Sequence, residues 1–248
     1  MSKAYFETTR PHLLAHRGLS MHADHIDENS LEAFEAAISA GATHVESDVH
    51  ATLDGVAVLF HDDNLERVAA MPVAIKDLTL TELKAIRMLN GTSIPTLAEA
   101  LERFPTLRLN LDVKSSGAIA PTAKAIEAKQ AHDRVLVSSF STKRRKQTVA
   151  LLSSEVAVSA GAVEIILLWV SHIFGGIGFS RIANNLDALQ IPVAQGPVRL
   201  GTKSFISRAR KHGLEIHFWT INSPAQAQKL LELGATGIVS DRIDLIQA

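Results

Sequence analysis

The sequence predicts an α/β chain folded as a (β/α)8 TIM barrel, on three observations. Short β-rich runs alternate with helical patterns from one end of the 248 residues to the other. Eight such runs can be counted. The polar residues able to do chemistry sit where those runs end, and the C-terminal ends of strands carry the active sites of barrels. A doubly wound open sheet would have the same strand count and stands as the alternative. The length suits a single barrel domain spanning residues 1–248.

The β-rich runs cover residues 11–16, 44–49, 107–113, 135–139, 155–159, 189–194, 215–220 and 237–240. Helical windows lie between them at 30–40, 97–104, 121–130, 142–152, 163–174, 203–212 and 224–233. The first run is the apolar Leu13-Leu14-Ala15, closed by His16. The first helix has Ser30 as its N-cap, a stripe of Leu31, Phe34, Ala37 and Ile38, and Gly41 just past its end. After the second run, residues 51–60 read as two extended pieces around Asp54-Gly55, a hairpin turn signal. Residues 62–95 then form a long excursion with a small helix at 81–89. Hairpin and excursion together make an insertion over about residues 50–95, placed where substrate-covering elements sit. The run Lys143-Arg144-Arg145-Lys146 opens a helix and reads as its solvated face. Ile165-Ile166-Leu167-Leu168-Trp169-Val170 reads as a buried barrel helix, being apolar all round. Ser223-Pro224 opens the last helix in the cap-then-proline order, and Gly234 closes it.

Composition narrows the function classes. The chain is 46% hydrophobic and 21% charged with net charge −1, which fits a globular protein with a large core and carries no basic footprint for nucleic acid. Cysteine is absent, so disulfides, thiolate metal sites and cysteine nucleophiles are excluded. No leader is apparent at the N-terminus, and the apolar segment 165–179 is too short and interrupted to span a bilayer, so a cytoplasmic protein is expected.

Glu46 and Asp48 lie two apart on a strand, so their side chains share one face roughly 6.5–7 Å apart along the chain. Two such carboxylates repel unless a cation or a basic side chain compensates them. Asn110, Asp112 and Lys114 alternate in the same way on the third run, making Asp112 a candidate third oxygen ligand and Lys114 a partner for an anionic substrate. Hard oxygen donors suit Mg2+ or Ca2+. His16 and His61 each end an apolar run and precede a charged residue, which makes them the natural acid–base pair. Arg17 fits bidentate capture of a phosphate. Trp219, ending the seventh run, is placed with Arg17 and Lys114 among the candidate substrate contacts. Of the other histidines, His22 and His25 are expected in an exposed loop, and His44, His132, His172 and His212 in surface or packing roles. His217 shares a strand face with Trp219 and reaches for the barrel interior.

His16-Arg17-Gly18, Asp27-Glu28-Asn29-Ser30, Gly41 to Val49, Asp54-Gly55, His61 to Arg67, Trp219 to Asn222 and Gly237 to Asp241, in this order and spacing, resemble the glycerophosphodiester phosphodiesterases. The resemblance implies a metal-dependent barrel that hydrolyses glycerophosphodiesters, or a lysophospholipid headgroup, to glycerol 3-phosphate and an alcohol. It implies His16 and His61 as catalytic pair, Arg17 on the phosphate, and Glu46 and Asp48 on the metal. Two departures stand out. Asp112 occupies the place of the family's usual glutamate, so it is expected to act near the metal directly or through a water. Asp27 replaces a proline, and this is expected to loosen the loop carrying Glu28. A silent barrel that binds phosphorylated ligands, or a lyase that makes a cyclic phosphate, would use much of the same equipment.

Overall fold

The computed structural model describes residues 3–20 and 26–246, so His22 and His25 lie outside the described residues. Eight parallel strands form its centre: β1 (His12–His16), β2 (His44–Ala51), β3 (Arg108–Val113), β4 (Val135–Ser138), β5 (Ala157–Val158), β6 (Ala188–Ile191), β7 (Glu215–Phe218) and β8 (Gly237–Ser240). Hydrogen bonding runs from β5 through β4, β3, β2, β1, β8 and β7 to β6. A parallel bridge between Ser159 and Ala188 joins the two ends, and the Ala160 amide donates to the Ala188 carbonyl at 3.0 Å. Both would-be edges are therefore paired with each other. The fold is a closed (β/α)8 barrel, and the open-sheet alternative fails.

Alternation on the strands sorts the side chains. On β2, Val45 and Val49 face outward into the main core, while Glu46 and Asp48 face the barrel interior. Register then stacks the interior: Glu46 is level with His16 on β1 and Asn110 on β3, and Asp48 is level with Asp112. The helices pack outside through Phe34, Leu101, Ile126, Leu168, Phe205 and Leu230. The Leu31–Ser39 helix is capped as expected, Ser30 Oγ accepting from the Ala33 amide at 3.1 Å.

The hairpin signalled by Asp54-Gly55 forms. Ala57–Leu59 pairs antiparallel with the end of β2, and a small helix at Leu80–Ala85 carries a capping box between Thr79 and Glu82. The insertion buries a core of its own around Phe60, Leu65, Ile75, Leu83 and Ile94. Three expectations need correction. Arg145 is not on a solvated face: it is buried, donating to the Ser159 carbonyl at 2.7 Å and pairing with Glu164 at 2.8 Å. The Ala162–Ile173 helix is buried along one side only, with Val163, Ile166 and Leu167 exposed. Asp27 tightens its loop instead of loosening it, since its carboxylate accepts from the Asn90 and Thr92 amides and, at 2.7 Å, from Thr92 Oγ1. A hairpin of Ala194–Gln195 and Val198–Arg199 follows β6, within and beyond the run read as strand. No helix of the described residues is long and apolar enough to cross a membrane.

The N-terminal end of the barrel is plugged by His12, His44 and His217, with Tyr5 and Phe6 packed on them. His12 Nδ1 is 3.1 Å from His217 Nε2. Burial opposes charge on all three imidazoles; it lowers His12, pushes His44 down to about 3 and takes His217 well below its usual range. The folded chain thus holds these groups neutral while the unfolded chain protonates them. For His44 the difference opens at its unfolded value of about 6.5 and closes near 3, so its contribution to stability is full above that window and falls as pH falls through it. His44→Gln removes the effect. Whatever the substitution costs at about pH 7, the stability gap between wild type and variant should narrow by roughly 2 kcal/mol at about pH 5. Urea melts at the two pH values read this directly, and a constant gap would show that His44 protonates as readily folded as unfolded.

Candidate active site

At the C-terminal end of β1 the chain turns sharply. Arg17 takes φ +57° and Gly18 φ +83°, and a Cβ on Gly18 would meet the Ala33 side chain at 2.7 Å. Glycine is required twice there, for its conformation and for the close approach to the Leu31–Ser39 helix. The turn is fastened by the Arg17 amide donating to the Glu46 carbonyl at 2.9 Å and by the Asn29 amide donating to the Arg17 carbonyl at 2.8 Å.

The two histidines are oriented in one manner. His16 Nδ1 lies 2.6 Å from Asp241 Oδ1, and Asp241 is itself held by Asn222 Nδ2 at 2.8 Å. His61 Nδ1 lies 2.6 Å from Asp62 Oδ1, and Arg67 grips the other oxygen of Asp62 at 2.7 Å. A carboxylate on Nδ1 fixes the tautomer and leaves Nε2 to do the chemistry. Burial works against a charge on His16, but the Asp241 hydrogen bond and the nearby Glu46 outweigh it, so its proton affinity is raised. Arg67 also reaches Glu28 at 2.6 Å, and Glu28 accepts from Arg17 at 3.0 Å. A chain of alternating charge therefore links His61 to Arg17 across the mouth of the barrel.

The carboxylates divide unequally. Lys114 Nζ stands 2.7 Å from both Asp48 Oδ1 and Asp112 Oδ2, and Arg17 Nε is 3.4 Å from Asp48 Oδ2. Asn29 Nδ2 donates to Asp48 Oδ2 at 3.3 Å and is held in turn by Ser47. Burial favours the neutral acid at Asp48, but Lys114 and Arg17 overcome it and hold the carboxyl below its usual range. Glu46 has no such lysine or arginine partner; His16 Nε2 stands 3.8 Å from its Oε2, which also accepts from the Arg17 amide at 3.3 Å. Burial first, then the charge of Asp48, raises it to about 7. Asp112 is raised chiefly by burial, in spite of Lys114, and its Oδ1, like Asn110 Oδ1, is buried with no hydrogen-bond partner. A carboxylate without a lysine or arginine partner beside orphaned oxygens suits a hydrated hard cation, so these residues fit Mg2+ or Ca2+.

All eight side chains singled out in the sequence line one cavity of about 820 Å3 at this face. Its floor is polar. Its wall is apolar, built from Phe140, Ile165, Trp169 and Trp219, with the Phe140 and Trp219 rings edge to face at 6.1 Å. Asp62, Arg67, Asn222 and Asp241 stand in the motifs quoted from the sequence, and Asp241 falls at the end of the last strand. The sequence reading gives none of them its orienting role, which depends on the contacts His16–Asp241, Asn222–Asp241, His61–Asp62 and Arg67–Asp62. Among the described residues one group of three metal-capable side chains converges within 4.8 Å, and it lies elsewhere: His12, Glu215 and His217 at the opposite end of the barrel. There Glu215 is already paired with Arg10 at 2.5 Å and Arg210 at 3.2 Å, so its charge is spent on guanidinium.

Comparison with known proteins agrees with this geometry. The sequence model of the glycerophosphoryl diester phosphodiesterase family matches residues 16–245. The chain is 34% identical over 235 residues to a probable glycerophosphodiester phosphodiesterase 2 of Mycobacterium tuberculosis, covering 94% of this chain and 88% of that one. Its fold matches a glycerophosphodiester phosphodiesterase of Thermotoga maritima with a TM-score of 0.75 and 26% identity, over 96% of this chain and 98% of the other. It matches a phosphodiesterase of Oleispira antarctica, solved with the product sn-glycerol-3-phosphate, with a TM-score of 0.77 and 26% identity over 96% of each chain. From the histidine that ends β1 to the last helical turn, the chain belongs to the glycerophosphoryl diester phosphodiesterase family and is a glycerophosphodiester phosphodiesterase.

Proposed function

We propose that the enzyme hydrolyses glycerophosphodiesters to glycerol 3-phosphate and an alcohol, with His16 and His61 as its acid–base pair and a divalent cation, Mg2+ or Ca2+, held by Glu46 and Asp48. The observation that carries this reading is the matched orientation of the two imidazoles, each fixed through Nδ1 by a carboxylate at 2.6 Å at the rim of one cavity. One imidazole takes the proton of the attacking water, and the other gives a proton to the leaving alkoxide. Arg17 and Lys114 receive the phosphate oxygens, and Trp219 packs against the substrate at the cavity wall. The cation, when bound, supplies positive charge against the developing charge on phosphorus-bound oxygen. Asp112 serves by holding Lys114 and by turning its unpartnered Oδ1 toward the same floor. The apolar wall of Phe140, Ile165 and Trp169 favours a second reading of the substrate, a lysophospholipid whose alcohol half carries an apolar chain.

Release of glycerol 3-phosphate from a panel of choline, ethanolamine, glycerol and inositol diesters, with and without Mg2+, Ca2+ and chelator, tests the whole reading; a cyclic phosphate seen by phosphorus NMR would replace water by a substrate hydroxyl as nucleophile. Glu46→Gln and Asp48→Asn should each abolish metal-dependent turnover while the circular dichroism spectrum stays native. Full turnover of wild type in excess chelator would exclude the cation. His16→Ala and His61→Ala should each cost at least about 10²-fold in kcat, and each should remove one limb of the bell-shaped pH profile. Near-normal turnover in either variant would make that histidine structural. For Asp112, a metal titration decides. Asp112→Ala should raise the metal concentration that gives half-maximal rate, and Asp112→Glu should keep substantial activity; an unchanged requirement in the alanine variant would confine Asp112 to its pairing with Lys114.

A further inference from the structure

The Ala162–Ile173 helix is apolar on two faces. One face meets the barrel, where Ile165 and Trp169 pack on the core and line the cavity. On the other, Val163, Ile166, Leu167 and Val170, at helical spacing, are 60, 59, 48 and 38% exposed. Ile173, Phe174 and Ile177 extend the row. Single exposed apolar residues are ordinary; a contiguous row marks an interaction surface.

The position of this row follows from its neighbour. The Lys203–Lys211 helix follows β6 and so begins on the catalytic side of the barrel. His172 Nε2 is 3.4 Å from Ser204 Oγ in its first turn, and the Arg208 guanidinium lies against Gly176 one turn later. The two segments thus run side by side in the same direction and in step. Residues 162–171 stand beyond the start of the Lys203–Lys211 helix, on the cavity side, by about 15 Å at 1.5 Å per residue. Ile166 belongs both to the exposed row and to the cavity lining, so the apolar surface runs unbroken into the active site.

The charge around it is one-sided. Residues 165–214 contain six cations, Arg181, Arg199, Lys203, Arg208, Arg210 and Lys211, against Asp187, although Arg210 pairs with Glu215 at 3.2 Å at the end of its helix away from the cavity. Arg199, Lys203 and, on the helix neighbouring the apolar one, Lys143 are exposed where their elements leave the catalytic end of the strands. Glu164, at the start of the apolar helix, is occupied by Arg145 at 2.8 Å.

We propose that this apolar row and its basic rim dock the enzyme on an anionic lipid surface, with the cavity opening at the plane of the phosphodiester headgroups. A bilayer offers the two things the surface asks for, an anionic plane and an apolar layer beneath it. A second copy of the chain would bring the same cations face to face across a two-fold contact. Twelve residues in the helix suffice to lie in the interface and fall short of spanning it. The inference adds a place of action to the catalytic reading and rests on that reading only for what is cut there.

The test is co-sedimentation of the full chain with phosphatidylglycerol vesicles and with phosphatidylcholine vesicles, beside turnover of soluble glycerophosphocholine. Wild type should bind the anionic vesicles and bind neutral ones on the order of 10-fold more weakly. Leu167→Gln/Val170→Gln, at two positions that do not line the cavity, should lower anionic-vesicle affinity on the order of 10-fold and leave soluble turnover unchanged. Wild type that stays in the supernatant, or a double variant that binds as well as wild type, overturns the proposal. So does a dimer of wild type in light scattering that the double variant dissolves, since the row would then cover a second copy. Absence of soluble turnover in wild type would strike the catalytic reading, while the vesicle result would still judge the docking surface by itself.

Discussion

Two carboxylates buried two residues apart on one inward strand face set the terms for this molecule. Glu46 and Asp48 cannot both carry charge inside a barrel without compensation, because the repulsion and the desolvation act together. The chain meets this with a division of labour. Asp48 is surrounded by Lys114, Arg17 and Asn29 and stays ionised. Glu46 is left with a raised proton affinity and only His16, 3.8 Å away, opposite it. The neighbouring strands obey the same constraint, since register puts Asp112 level with Asp48 and thereby draws Lys114 between them. The turn at Arg17 and Gly18, the cap on the first helix and the anchoring of Asn29 all keep that arrangement in place.

The two ends of the barrel solve opposite problems. At the N-terminal end His12, His44 and His217 are packed among aromatic rings and kept neutral, which gives stability at neutral pH and exposes the fold to acid. At the C-terminal end His16 keeps a high proton affinity because Asp241 and Glu46 attend it. The same residue type, on adjacent strands of one sheet, is held neutral or given a raised proton affinity by what faces it.

Much of this was legible in the sequence. The alternation of Glu46 with Asp48, and of Asn110 with Asp112 and Lys114, survives folding because strand geometry has a period of two and register follows from the hydrophobic pattern. The hairpin at Asp54-Gly55 and the Ser30 cap are local chemistry and were equally readable. What was not readable depends on contacts distant in the chain. Arg145 follows a lysine and an arginine in a helix that looks solvated, and only its meeting with Glu164 and the Ser159 carbonyl explains its burial. Asp27 has nothing beside it in sequence to show that Thr92 and Asn90 will bond it. The apolar run at 165–170 could not reveal which of its sides would face the barrel, because periodicity vanishes when both sides are apolar.

The pairing of His16 with Asp241 joins the first barrel strand to the residue just after the last. Because β1 also takes its hydrogen-bonded neighbour β8 from the far end of the chain, the site has no local precursor. A chain cut before Asp241 still holds Arg17, His16, His61 and every carboxylate of the floor, yet His16 has no carboxylate on Nδ1 to fix its tautomer. The anchoring of His16 is in this way a product of barrel closure: a nick ahead of Asp241 would free this imidazole while leaving most of the cavity floor in place.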